Sequence, residues 1–178
     1  AQAPKPLTHI DGVSVDKLVA RYGSPLFVFS EQSLVQRYHD LRQAFARRYA
    51  KVRIAWSYKT NYLQAICRVF HREGAWAEVV SPMEFEKALR TGVPSDHIHF
   101  NGPFKPDDAI EQAVRGDAPI HIDGFDELHR IERIAERLGK RPRVAIRVYV
   151  AVEGLPAWSR FGLNLESGQA REAARRII

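Results

Sequence analysis

The sequence has a single cysteine, Cys67, which excludes an internal disulfide and a cysteine-rich zinc site. Its apolar runs are short, as in Pro25–Phe29 and Val144–Ile146, far below the ~20 residues that span a bilayer. The opening Ala1–Pro6 lacks the apolar core of a signal peptide and reads as a loose tail. A soluble, cytoplasmic protein with no membrane partner is therefore expected. The P-loop, G-x-G-x-x-G and G-x-S-x-G signatures are all missing, so nucleotide binding of those kinds and serine hydrolysis have no support. His97, His99 and His121 alternate on two predicted strands without a third ligand at metal-site spacing. They read as structural histidines, and no metal is expected.

What is present is globular in kind. The chain has 178 residues, 45% of them hydrophobic and 27% charged, enough for one ordinary domain with a core. A formal charge of +6 raises the question of nucleic acid. The basic residues lie along helical stretches, such as Arg37, Arg42, Arg47 and Arg48, and again Arg130, Arg133 and Arg137. They do not cluster with aromatics in one patch, so solvated helix faces are expected and a nucleic-acid partner is not.

Strand and helix alternate along the chain. Leu26–Phe29 reads as a strand, and Ser30 caps a long helix with Leu34, Tyr38, Leu41 and Phe45 on one face. Strands are then predicted at Val52–Lys59, Ala75–Ser81, His97–Gly102, Pro119–Asp123 and Arg143–Val150. Helices are predicted at Leu63–Arg72, Pro82–Arg90, Pro106–Val114 and Asp126–Leu138, with Gly74 and Gly139 as stops. A loop holding Gly154, Pro156 and Gly162 leads to a last helix from about Ser167. This spacing implies parallel βαβ units, either an open doubly wound sheet or a (β/α)8 barrel. A barrel takes about 250 residues, so a barrel would be incomplete in this chain.

The predicted strands end on polar side chains: Lys59, Glu78, Asn101, Asp123 and Arg147. In both α/β architectures those ends line the site of chemistry. Each has a plainer reading as well. A strand-terminal lysine can snorkel to solvent, and position alone favours that for Lys59 over a desolvated amine suited to Schiff-base chemistry. Glu78 can face Lys59 or a cationic ligand, or pair structurally across strands. Asp123 reads first as a helix cap, Asn101-Gly102-Pro103 as a turn, and Arg147 as an anion binder or a packed ion pair.

Several segments resemble one family. Tyr22–Phe29 (YGSPLFVF) is similar to the entry segment of the diaminopimelate and ornithine decarboxylases, and Ser57–Asn61 (SYKTN) to their A-V-K-A-N lysine motif. Glu78–Ser81 (EVVS) resembles their D-V-V-S segment with Glu for Asp. Leu89–Pro94 and Ile98–Lys105 match the following helix end and strand. Arg147 falls on their L-R-I/V strand, and Trp158–Gly162 (WSRFG) on their S-K-F-G loop. The resemblance runs from about Val15 to the C-terminus.

That resemblance implies a pyridoxal 5'-phosphate-dependent enzyme of the fold-type III group. Its alanine-racemase-like (β/α)8 TIM barrel would be incomplete here, with a C-terminal β-domain beyond residue 178. Residues 1–29 would be a tail and strand joining that β-domain, and residues 30–178 the first part of the barrel. Lys59 would hold the cofactor as a Schiff base, with Glu78 and Arg147 as further cofactor contacts. Asn101 and Arg160 would lie at the substrate pocket or the interface. The implied reaction is decarboxylation of a basic or diamino amino acid by a homodimer. An amino-acid racemase on the same fold, and a non-catalytic pyridoxal-phosphate-binding or regulatory homologue, are the alternatives. Tyr58 and Thr60, bulkier than the family's residues beside the lysine, are expected to reshape the pocket.

Overall fold

The computed structural model describes residues 6–154 and 160–178. The chain divides into two compact units, one reaching to Val52 and the other running from Arg53 to Ile178.

The first unit opens on a hairpin of β1 (His9–Ile10) and β2 (Val13–Ser14). Its turn, Asp11-Gly12, has φ of 48° and 78°, the left-handed geometry that two-residue hairpins favour. Helix α1 (Val15–Tyr22) ends at Gly23, with φ 84°. Helix α2 (Glu31–Ala46) starts where the sequence places it, with the Ser30 hydroxyl accepting from the Ser33 N–H at 3.0 Å. The expected strand at Leu26–Phe29 is not formed. A strand exists only through its hydrogen-bonded neighbour, and this segment pairs with no strand among the described residues. Phe27 is 89% exposed.

The second unit is built on a five-stranded parallel sheet, β3 (Ala55–Ser57), β4 (Trp76–Val79), β5 (Ile98–Phe100), β6 (Ile120–Ile122) and β7 (Val144–Ile146). Helices α3 (Gln64–Arg72), α4 (Pro82–Arg90), α5 (Asp107–Arg115) and α6 (Phe125–Leu138) join them. The strands lie side by side in chain order. A doubly wound sheet reverses its order at a switch point, whereas a barrel winds one way. The order is the barrel's.

Local chemistry sets the helix limits. Ser81 caps α4, Pro82 stands at its first position, and Glu84 reaches back to the Val80 N–H at 2.7 Å. Gly139 closes α6 in the left-handed conformation. Along the strands burial alternates. Ala77, Val79, Ile98, Phe100, Ile120 and Ile122 are buried and join one core with Phe85, Ile110, Val114, Leu128 and Ile131 of the helices. The alternate positions, Ser57, Glu78, His99 and His121, are half-buried on the other face.

The single strand expected at Arg143–Val150 is broken at Arg147. Its N–H bonds to Ile122 O at 2.9 Å, while its carbonyl accepts from Leu163 N at 2.8 Å. The ladder thereby passes from β7 to a new parallel pair, β8 (Val148–Tyr149), the end of the expected strand, and β9 (Leu163–Asn164), in the region expected to be only loop. Helix α7 (Gln169–Ile177) follows. No helix among the described residues is long and apolar enough to cross a membrane.

Candidate active site

The end of β3 turns sharply, with Thr60 N bonded to Ser57 O at 3.1 Å, and Lys59 sits in that turn. Tyr58 anchors it from the opposite face of the pleat. Its side chain is fully buried, and its hydroxyl lies 2.9 Å from His71 Nε2 on α3. His71 Nδ1 is 2.8 Å from Ala75 O, a pure acceptor, so Nδ1 carries the ring hydrogen and Nε2 accepts a hydrogen bond from the Tyr58 hydroxyl. Burial drives the Tyr58 phenol far above its ordinary range and pulls His71 below its own. Tyr58 therefore braces the lysine turn from the helix side and does not shape the mouth, as its bulk had suggested.

Lys59 is exposed, not desolvated. Its side chain has no hydrogen-bond or ion-pair partner among the described residues, so of the alternatives open for Glu78 the pairing with Lys59 is not made. Glu78 is held by neutral donors instead. The Ser57 hydroxyl bonds its Oε2, and Asn101 Nδ2 donates to its Oε1 at 2.9 Å. Three strand ends thus converge on one carboxylate. Asn101 is tied in as well as being at a turn, and the glycine after it is obligatory. Gly102 has φ 99°, and a Cβ there would stand 2.6 Å from Val80 O.

Asp123 does not cap α6, whose N-cap is Gly124. Its carboxylate accepts from Arg147 Nη1 at 3.0 Å, so the packed ion pair is the arrangement formed. The Arg147 guanidinium also lies 4.6 Å over the Phe161 ring. Arg160 is exposed, 5.7 Å from that same ring; Trp158 and Ser159 lie outside the described residues.

Two features escape sequence reasoning. Lys105 is fully buried, donating to Gly102 O at 2.9 Å, His121 O at 2.8 Å and both Glu127 oxygens at 2.9 and 3.0 Å. Glu127 also accepts from Asp123 N at 2.9 Å, so this pair locks the loops under the Asp123–Arg147 contact. Nothing in a Lys–Glu separation of 22 residues announces such a pair. The second is a contact of His99 Nδ1 with His121 Nε2 at 3.0 Å. The sequence offered them only as structural histidines on two strands, and nothing in it shows that they touch.

Polar groups from successive strand ends of a barrel, centred on an accessible lysine and a fixed carboxylate, define the class: a βα-barrel domain with its site at the carboxyl ends of the strands. Residues 31–177 match the family described as pyridoxal-dependent decarboxylase, pyridoxal binding domain, and the chain belongs to that family. It is 32% identical to the diaminopimelate decarboxylase of Methanocaldococcus jannaschii over 95% of this chain and 42% of that protein. It is 29% identical to the Aquifex aeolicus diaminopimelate decarboxylase over 90% of this chain and 39% of the other. A crystal structure of the M. jannaschii enzyme in complex with L-lysine superposes with a TM-score of 0.85, at 31% identity over 95% of this chain and 42% of that one. The chain spans about two fifths of the length of these relatives.

Proposed function

We propose that the whole protein is a pyridoxal-phosphate-dependent decarboxylase of a basic or diamino amino acid, with Lys59 as the amine that holds the cofactor. The carrying observation is an accessible primary amine on a braced turn at the end of β3, beside a carboxylate fixed by two neutral donors, in a chain of this family. The donor set suits the cofactor. An aldehyde needs an amine that can reach it and shed its proton, and Lys59 has no ion pair among the described residues to hold that proton in place. Glu78 offers a carboxylate already oriented by Ser57 and Asn101, suited to ordering the cofactor. A phosphate or carboxylate is served by Arg147, of whose five donors Asp123 engages one. When bound, pyridoxal phosphate supplies the electron sink that takes up the pair left when carbon dioxide departs.

The residues of this chain then have distinct tasks. Lys59 would hold the cofactor through its side-chain amine between turnovers. Ser57 and Asn101 hold the Glu78 carboxylate in one orientation, and Tyr58 with His71 keeps the Lys59 turn from drifting. Residues 1–29 contribute to a C-terminal β-domain, residues 30–178 form the first part of the barrel, and Arg160 lies toward the pocket or interface. A homodimer and a cytoplasmic location are carried over from the resemblance.

The test uses the complete protein supplied with pyridoxal phosphate. Borohydride reduction and peptide mass analysis should find the pyridoxyl group on the peptide containing Lys59, and Lys59→Ala should abolish it. Carbon dioxide release from diaminopimelate, ornithine, lysine or arginine should fall at least roughly a thousandfold in that variant. An adduct on another lysine, or turnover unchanged in Lys59→Ala, would overturn the assignment. Enantiomer exchange without carbon dioxide release would make the protein a racemase.

A further inference from the structure

Barrel interiors are ordinarily filled by branched apolar side chains. The face of this sheet turned away from the helices is filled differently, by Ser57, Glu78, His99 and His121 in neighbouring strands. Glu78 and His99 are direct register partners. The pairing of Phe100 with Ile120 sets His121 beside Asn101, the residue that donates to Glu78. The two imidazoles meet edge to face, ring centroids 5.2 Å apart, with Nδ1 of His99 3.0 Å from Nε2 of His121.

That contact restricts where protons can go. Only one hydrogen fits between two nitrogens at 3.0 Å, so one ring must donate and the other accept. The neutral pair carries a second hydrogen on the outer nitrogen of the accepting ring. A further proton from solvent can enter only at the outer nitrogen of the donating ring, and a fourth would break the contact. The pair therefore takes up a single proton as a unit.

We propose that His99 and His121 are a proton-sharing pair that positions the Glu78 carboxylate, leaving it with Ser57 and Asn101 when the pair is neutral and drawing it toward the sheet interior when the pair is charged. This rests on the reading of Glu78 as a cofactor contact. The groups facing the pair are Glu78 on β4, Arg143 at the entry to β7 and Lys105 after β5, with the Trp76 ring 5.4 Å from His99. Trp76 in turn carries His97 at 4.3 Å and Arg53 at 4.6 Å. Burial depresses both imidazoles below their ordinary range. His121 and Arg143 depress His99 further, Lys105 does so for His121, and Glu78 pulls the other way on each. At neutral pH the pair is thus uncharged.

The deciding experiment is a side-chain NMR titration of the complete, cofactor-free protein, following the imidazole nitrogens of His99 and His121 and the carboxyl carbon of Glu78. Both rings and the Glu78 carbon should move on one curve, with a midpoint below that of an ordinary histidine. In Glu78→Gln the midpoint should shift to lower pH, because the carboxylate that favours the charged pair is gone. In His99→Gln, or in His121→Asn should that variant fold better, the remaining histidine should titrate alone and the Glu78 response should vanish. With cofactor added, the wild type should bind it more weakly on the acid side of that midpoint, and the single-histidine variants should lose this step. Independent midpoints for the two rings, or a midpoint unmoved in Glu78→Gln, would sink the pair. A Lys59 adduct with independent histidines leaves the functional reading standing and removes this one; coupled histidines with no Lys59 adduct do the reverse.

Discussion

Lys105 shows how much a single side chain can hold when its charge is taken out of water. Its amine reaches two carbonyls and both oxygens of Glu127, so every donor of the ammonium has a partner. Burial lowers its proton affinity and Glu127 largely opposes that. A buried ion pair of this kind stabilises little against an apolar isostere, but breaking it strands a charge. Lys105→Met should therefore cost about 3–5 kcal/mol in urea unfolding, the usual price of an orphaned buried ion. Replacing Glu127 with Met as well should recover a large part of that loss. A double variant as weak as the single one would show that the two carbonyl contacts, not the ion pair, carry the effect. Lys105 stood in plain view in the sequence, inside a segment resembling the family, yet no local pattern separates a buried lysine from an exposed one. Lys59 makes the complementary point. The motif around it singled it out as the candidate amine, and the solvent exposure that position alone favoured is what the turn after β3 produces.

At the scale of elements, helices α2 to α7 were legible nearly to the residue, whereas α1 and the strand limits were not. Helix ends are fixed by local chemistry that a sequence displays: Ser30 before α2, Ser81 and Pro82 at α4, Gly139 after α6. Strand ends are fixed by what lies alongside, which a sequence does not display. Each predicted strand ran longer than its ladder, Leu26–Phe29 found no ladder, and β9 is a two-residue strand visible only through its bonds to β8. The strand-end site was legible as a set of residues, while its wiring (Glu78 to Ser57 and Asn101, Asp123 to Arg147) depended on register. Gly102 is where element and site meet. An alanine there meets two obstacles, a positive φ and the Val80 carbonyl 2.6 Å from its Cβ. Gly92, at φ 94°, has nothing within 4 Å of its own Cβ position. Gly92→Ala should thus cost only the backbone strain, about 1–3 kcal/mol, and Gly102→Ala clearly more. Gly102→Ala should also slacken the Asn101–Glu78 hydrogen bond and weaken cofactor binding, which Gly92→Ala should leave alone. Equal losses in the two variants would mean that the β4–β5 approach is not tight.

For the molecule as a whole, the acid limit of stability follows from three partly buried imidazoles. His71, His99 and His121 all have proton affinities held below the ordinary histidine value near 6.5, with burial the largest cause in each. The folded state therefore binds fewer protons than the unfolded chain between those lowered values and about 6.5. Stability changes with pH in proportion to the protons bound unfolded minus those bound folded, so it rises with pH across that window. At neutral pH the contribution is fully present, and it is lost as pH falls through the unfolded value toward the folded ones. His71 has a structural stake besides its solvation, since protonating its Nε2 removes the acceptor of the Tyr58 hydroxyl and loosens the brace under Lys59. Thermal unfolding measured between neutral and mildly acidic pH should accordingly show a midpoint that drops on acidification below about 6.5. In His71→Gln the protein should be weaker at neutral pH, where the brace is lost, yet less sensitive to acid, because one of the three proton acceptors is gone. The two effects have opposite signs, so the curves of variant and wild type should converge as pH falls. Parallel curves would mean that His71 is protonated alike in both states and that its burial has no part in the acid response.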